Sequence, residues 1–213
     1  MAEAPKVAVI RTGLANLASV LAGLRRAGAE PFVTENPADV QRTAYVVLPG
    51  VGAFGPAMEK LNGTGMANVL RERFEAGSPT LSVCLGLQLL HEASDENPGV
   101  AGLGIIPLSI RKFPDTVRIP QLGWNEVRPE SSAAYLQNGF AYFANSYHAP
   151  AAAEGWTPAH TIYGVPFVSA IERGAWLACQ FHPELSGDWG LQLLKNWLSL
   201  APSRVIASEL KQC

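Results

Sequence analysis

Two short runs carry the chemistry of this sequence, Leu81-Ser82-Val83-Cys84-Leu85-Gly86-Leu87-Gln88 and, far downstream, Phe181-His182-Pro183-Glu184. The first sets a thiol between an apolar, strand-like stretch (residues 80–83) and an amphipathic run (residues 85–91). That spacing suits a nucleophile elbow, a tight strand-to-helix turn that holds a reactive side chain up and exposed. The unpaired N–H groups of a helix N-terminus favour an anion, and so a thiolate. The second run supplies an imidazole as base, with a carboxylate two residues on to orient it. Cys84, His182 and Glu184 together make a nucleophilic triad for acyl transfer.

A lone cysteine in an apolar stretch is ordinarily a small buried hydrophobe. Two neighbours favour the sharper reading. Gly86 allows a new helix to pack tightly behind the nucleophile. Pro183 steers His182 away from helical conformation and toward the end of a strand. Cys179, inside Trp176-Leu177-Ala178-Cys179, reads as core, and Cys213 as an incidental terminal thiol.

The elements that must position these groups are legible from periodicity. Val7-Ala8-Val9-Ile10 is a continuous apolar run, as expected of a strand buried on both faces. Residues 14–27 carry Leu14, Leu17, Leu21 and Leu24 as a helical stripe closed by Gly28. Strands are expected at 31–34 and 45–48, the latter ending in Pro49-Gly50-Val51-Gly52, with helices over 53–61 and 65–76 before the strand that delivers Cys84. Strand and helix alternating at this spacing argue a parallel sheet with right-handed crossovers. From about Gly99 short apolar runs separated by turn residues (104–110, 119–122, 125–128, 141–143, 161–164, 166–171 and 175–179) read as antiparallel strands. A closing helix over 188–200 carries Leu191, Leu194 and Trp197 on one face, and 201–213 is a weakly helical tail. The fold class expected is a single α/β domain over residues 1–213. It has a central, mostly parallel sheet flanked by helices and antiparallel strands in its second half.

Composition narrows the function classes. A chain of 213 residues fits one domain with a proper core, or two small ones, and no linker divides it. A hydrophobic content of 48% with 16% charged residues describes a globular protein. The net charge of −2 provides neither a basic field for nucleic acid nor a polybasic membrane signal. No apolar run approaches the ~20 residues of a membrane span, and Met1-Ala2-Glu3-Ala4-Pro5 lacks a secretory pattern. Three cysteines make no disulfide framework, so a reducing, cytoplasmic location is expected. The four histidines lack metal-ligand spacing and no Walker-type loop occurs, so neither metal nor cofactor is implied.

The motifs together resemble the class I (triad) glutamine amidotransferases, and within them the glutaminase subunits of imidazole glycerol phosphate synthases. The resemblance runs over roughly residues 6–200. It rests on Pro49-Gly50-Val51-Gly52-Ala53-Phe54-Gly55, the Cys84 elbow, Gln121-Leu122-Gly123-Trp124-Asn125, Tyr142-Phe143-Ala144-Asn145-Ser146-Tyr147 and Gln180-Phe181-His182-Pro183-Glu184. It implies hydrolysis of glutamine to glutamate through a Cys84 glutamyl thioester. The ammonia would pass to a partner cyclase, a (β/α)8 barrel paired with this chain as a heterodimer, in histidine biosynthesis.

It also implies residue roles. The oxyanion would be held by the N–H of Leu85 and by one from the Gly50-Val51-Gly52 loop, a candidate switch responsive to the partner. Gln88, one helical turn past Cys84, would bind the α-amino or carboxylate group of glutamine. Asn145, Ser146 and Tyr147 would line the pocket, and Trp124 and Asn125 would face the synthase where ammonia crosses. The chain departs from the pattern at Ser82 (ordinarily Gly), at Arg11-Thr12 (Asp-Tyr in many relatives), at Leu185 (commonly Lys) and at His148 (often aromatic). His148 is a second candidate base without a carboxylate nearby in sequence. Two other readings remain open at this point. One is a glutaminase serving a different acceptor, such as anthranilate or pyridoxal phosphate synthesis. The other is a non-catalytic relative that binds a partner or senses glutamine.

Overall fold

The computed structural model describes residues 3–13, 17–50 and 52–209. Its first half winds β1 (Lys6–Ile10), α1 (Ala18–Arg26), β2 (Glu30–Thr34), α2 (Pro37–Arg42), β3 (Tyr45–Leu48), α3 (Phe54–Gly63), α4 (Met66–Glu75), β4 (Thr80–Val83) and α5 (Leu85–Leu89). Every residue of β3 and β4 is buried, which is why these strands read as apolar runs without alternation. Helix α1 ends as the sequence indicates. Gly28 takes φ +96°, its N–H reaches Arg25 O, and Ala29 N–H reaches Leu24 O, a Schellman closure. The expected helix start at Leu14 lies outside the described residues.

The second half contains β5 (His91–Ser94), β6 (Ile106–Lys112), β7 (Gln121–Pro129), β8 (Gly139–Asn145), β9 (Tyr147–His148), β10 (Thr157–Tyr163), β11 (Val165–Arg173) and β12 (Trp176–Cys179). A 3-10 turn at Pro183–Leu185 leads into the closing helix α6 (Gly187–Glu209). Nine strands form one sheet in the order β2-β1-β3-β4-β12-β11-β10-β7-β8. The first five are mutually parallel and the last four join antiparallel, so only β7 and β11 oppose the common direction. Strands β5, β6 and β9 make a smaller sheet. Two apolar clusters cover the two faces of the large sheet. Leu24, Leu194 and Trp197 from α1 and α6 lie in one, and Met58, Leu61 and Leu70 from α3 and α4 in the other. Along β3, Val47 joins the first cluster while Val46 and Leu48 join the second, as the pleat requires.

The structure corrects several expectations. The helix after Cys84 stops at Leu89 instead of His91 and is buried on all sides, so it is not amphipathic. The His91 ring bonds to Leu87 O at 3.1 Å, and the chain enters β5 at that residue. Strand β12 is antiparallel to β11 as expected but parallel to β4, and β6 likewise runs parallel to β5. Apolar periodicity is blind to which strand lies alongside, so pairing across the chain escaped it. The runs expected at 119–122 and 125–128 give way to one strand, β7, which starts at Gln121 and whose Gly123 stays in register opposite Phe143 at φ +123°. The closing helix continues well past residue 200.

Candidate active site

Three neighbouring parallel strands, β3, β4 and β12, end at the same edge of the sheet. That edge, outside the carboxyl ends of parallel strands, is where open α/β sheets place ligands. β3 delivers Gly50, β4 delivers Cys84, and the continuation of β12 delivers His182.

Cys84 has φ 54° and ψ −111°, and among the described residues it is the sole non-glycine with positive φ. This backbone strain is held by what surrounds it. The Cys84 N–H donates to Cys179 O at 2.7 Å, and Cys84 O accepts from Leu87 N and Gln88 N as α5 begins. Glycines make the elbow compact. A Cβ on Gly86 would collide with the carbonyl oxygen of Leu48, and one on Gly50 with Leu85 and the backbone N of Gly86. The Gly50 loop therefore lies directly against the first turn of α5. There Leu85 N–H is free of an intrahelical partner by helix geometry.

His182 and Glu184 come together as expected. Nδ1 of His182 lies 2.9 Å from Glu184 Oε1, and both side chains are almost wholly buried. Burial alone pulls the His182 pKa down, but hydrogen bonds to Cys84 and Glu184 and the charges on both lift it to about 10. The imidazole is thus held ready as a cation between a sulfur and a carboxylate, the pairing that Cys–His nucleophiles use.

A cavity of about 260 Å³ opens over this group. Gly50, Gly52, Leu85, Gln88, Asn145, Ser146 and Tyr147 line it together with Cys84 and His182, which places seven expected pocket residues there. Val51 lies outside the described residues. Glu184 sits behind His182 instead of at the cavity wall. Nε2 of Gln88 and Nδ2 of Asn145 both donate to Tyr147 O, at 3.3 and 2.9 Å. Asn145 Oδ1 is buried and finds no partner among the described residues, an acceptor left for a ligand.

Glu96 also lines the cavity and was missed by sequence reasoning. Its Oε2 accepts from Phe54 N at 2.8 Å, and Asn97 Oδ1 accepts from Gly55 N at 2.8 Å. These two side chains cap α3, whose own N-cap residue, Ala53, supplies no side-chain oxygen. The local signal was an Asp-Glu-Asn turn; its destination across the fold was not visible.

Trp124 and Asn125 do not line the cavity. Trp124 is 58% exposed on the outer face of β7, edge-on to Tyr142, while Asn125 Nδ2 donates to Ile162 O at 2.9 Å. Leu122, Phe140 and Ile162 are also exposed and share that face by register. His148 is absent from the cavity wall. It stacks on Phe113 at 4.4 Å, and burial lowers its pKa. Cys179 is core as expected, its thiol pushed well up by burial. At the divergent N-terminal motif, Thr12 Oγ1 donates to Pro49 O at 3.4 Å and Arg11 pairs with Glu35 at 3.5 Å. Cys213 lies outside the described residues.

A nucleophile at a strained elbow, a carboxylate-held imidazole, and a cavity rich in polar acceptors define an acyl-transfer site for a small polar amide. Residues 8–200 match the family model "Glutamine amidotransferase class-I", and the chain belongs to that family. More particularly, it is similar to the imidazole glycerol phosphate synthase subunits HisH of Deinococcus radiodurans (41% identical over 94% of this chain and 96% of the relative) and Herpetosiphon aurantiacus (41% over 93% and 96%). It is also 39% identical, over 90% of its length, to 34% of the chloroplastic imidazole glycerol phosphate synthase hisHF of Arabidopsis thaliana. In fold it matches a crystal structure of a glutamine amidotransferase with TM-score 0.76 at 21% identity, covering 92% of this chain and 98% of that one.

Proposed function

We propose that this chain is the glutaminase subunit of an imidazole glycerol phosphate synthase. It hydrolyses glutamine and hands ammonia to a cyclase partner of (β/α)8-barrel form in histidine biosynthesis. The observation that carries the reading is that Cys84 and His182 line one cavity of about 260 Å³ while Glu184 holds the His182 ring from behind at 2.9 Å. The Cys84 thiolate attacks the side-chain amide carbon of glutamine, and the negative charge moves to the amide oxygen. Leu85 N–H and a backbone N–H of the Gly50–Gly52 loop receive that oxyanion. The His182 cation gives its proton to the departing ammonia, leaving a glutamyl thioester. Neutral His182 then takes a proton from water as the water attacks, the carbon–sulfur bond breaks, and glutamate leaves with the thiolate and the His182 cation restored. Glu184 fixes the ring and stabilises its cation.

Gln88, Asn145 and Glu96 are proposed to hold the amino-acid end of the substrate. Asn145 Oδ1 and the Glu96 carboxylate are acceptors suited to an α-ammonium group. The exposed apolar face of β7, β8 and β10, centred on Trp124, is proposed to meet the cyclase. β8 joins that face to the chemistry, because Tyr142 O accepts from His182 N and Tyr142 N donates to Ser186 Oγ, both at 2.9 Å. The test is Cys84→Ala in the reconstituted complex. Glutamine-dependent synthesis is expected to vanish while synthesis from free ammonia continues. Glutamine-dependent turnover surviving the substitution removes Cys84 from the mechanism.

A further inference from the structure

Gln180 is fully buried two residues before His182, at a bend just past the end of β12. Phe181 packs into the core between them, while the Gln180 and His182 side chains both reach Cys84. Both ends of the Gln180 amide are used. Its Nε2 lies 3.6 Å from Cys84 Sγ, and its Oε1 accepts from Gln88 Nε2 at 3.0 Å.

The direction of these bonds is fixed by a backbone carbonyl. Tyr147 O can only accept, so the Gln88 amide must turn its nitrogen toward it. That same nitrogen then faces Gln180, which must answer with oxygen, and the Gln180 NH2 group is left pointing at the sulfur. Reversing any member of the chain sets two acceptors or two donors against each other. Gln180 therefore offers Cys84 a donor, which stabilises sulfur as an anion more than as a thiol. At the other end, both Gln88 protons are spent on Tyr147 O and Gln180 Oε1, so Gln88 has its own oxygen to present to the substrate.

We propose that Gln180 is a positioning residue of the glutaminase. It holds and aims the Cys84 thiolate from the side opposite solvent, and it locks Gln88 with its oxygen turned to the glutamine pocket. This inference rests on the triad reading above and adds a member that acts through the nucleophile and through a pocket residue without touching the substrate.

The test uses the full chain with Gln180→Met, which keeps the volume and removes both polar ends, and Gln180→Asn, which keeps an amide but withdraws it by one methylene. Alkylation of Cys84 by iodoacetamide is followed by mass spectrometry of the Cys84 peptide. At about pH 7 both variants are expected to react roughly tenfold more slowly than the parent, and to recover at about pH 9, where free thiols in general are largely ionised. Slow reaction at both pH values would mean a merely structural role, and parental rates at about pH 7 would mean no donor role. Either result overturns the proposal. Glutamine turnover is read for the same proteins assembled with the cyclase subunit and its nucleotide ligand. A parent that alkylates normally but releases no glutamate in that complex defeats the glutaminase reading, while the variants' alkylation still decides the part played by Gln180.

Discussion

The parallel and antiparallel halves of the large sheet do different work, and burial separates them. β3, β4 and β12 are covered on both faces and end together at one edge. β7 and β8 are covered on one face only, and their other face shows Leu122, Trp124 and Phe140 to solvent. The parallel half is rigid enough to hold a cysteine at positive φ. The antiparallel half leaves an apolar surface in solvent, the face proposed above to meet the cyclase. They meet where β8 clasps the His182 segment through Tyr142 and Ser186. A docking event on one half thus has a short mechanical route to the base of the other.

That division can be broken from either side. The largest effect belongs to the nucleophile. Cys84→Ala should remove glutamate release entirely, as measured by a coupled glutamate assay, without disturbing the β7–β8 face. Next come the glycines that pack the elbow. Gly86→Ala drives a Cβ into the Leu48 carbonyl and should cost about 3 kcal/mol or more in denaturant unfolding. A Gly86→Ala chain as stable as the parent would show that the elbow is not tightly packed.

The third test belongs to His91, which supports the parallel half at about pKa 4, lowered first by burial and partly restored by bonds to the Leu87 and Gln88 backbone. An unfolded chain would protonate this ring near pH 6.5. Between those values the unfolded state binds more protons, so stability falls as pH drops through this window, by about 3 kcal/mol in all. His91→Asn should flatten that slope in unfolding curves taken across the window. His182 has the opposite sign. Its raised pKa stabilises the fold below about 6.5, and that contribution is lost as pH climbs through about 10.

On the antiparallel half, Trp124→Ala should weaken association with the cyclase by about 2 kcal/mol, roughly thirtyfold, in a titration of the two subunits. An unchanged affinity would move the docking face elsewhere. The smallest effect is at Ser82. Its buried hydroxyl has no partner among the described residues, so Ser82→Ala should stabilise the chain by about 1 kcal/mol in the same unfolding assay.

The two halves also differ in how much of them the sequence made legible. Strands buried on both faces and the elbow itself are written in local runs, and Val7 to Ile10, Tyr45–Leu48 and Thr80–Val83 were placed within a residue. The triad was readable because its members sit in short motifs. What stayed hidden depends on contacts between distant segments. The parallel pairing of β12 with β4, the reach of Glu96 to the head of α3, and the amide chain from Tyr147 O through Gln88 and Gln180 to Cys84 are set by the fold. The helix after Cys84 was overextended because its apolar residues satisfy a helical pattern whether the segment is half-buried or, as here, buried throughout.

The most direct measurement is glutamate release from glutamine by the full chain alone and then with the cyclase subunit and its nucleotide ligand. Low release alone and a large rise in the complex is the expected result, with the antiparallel face transmitting occupancy to the site on the parallel half. Release that is equal with and without the partner would contradict the account, leaving a working triad with no link between the two halves.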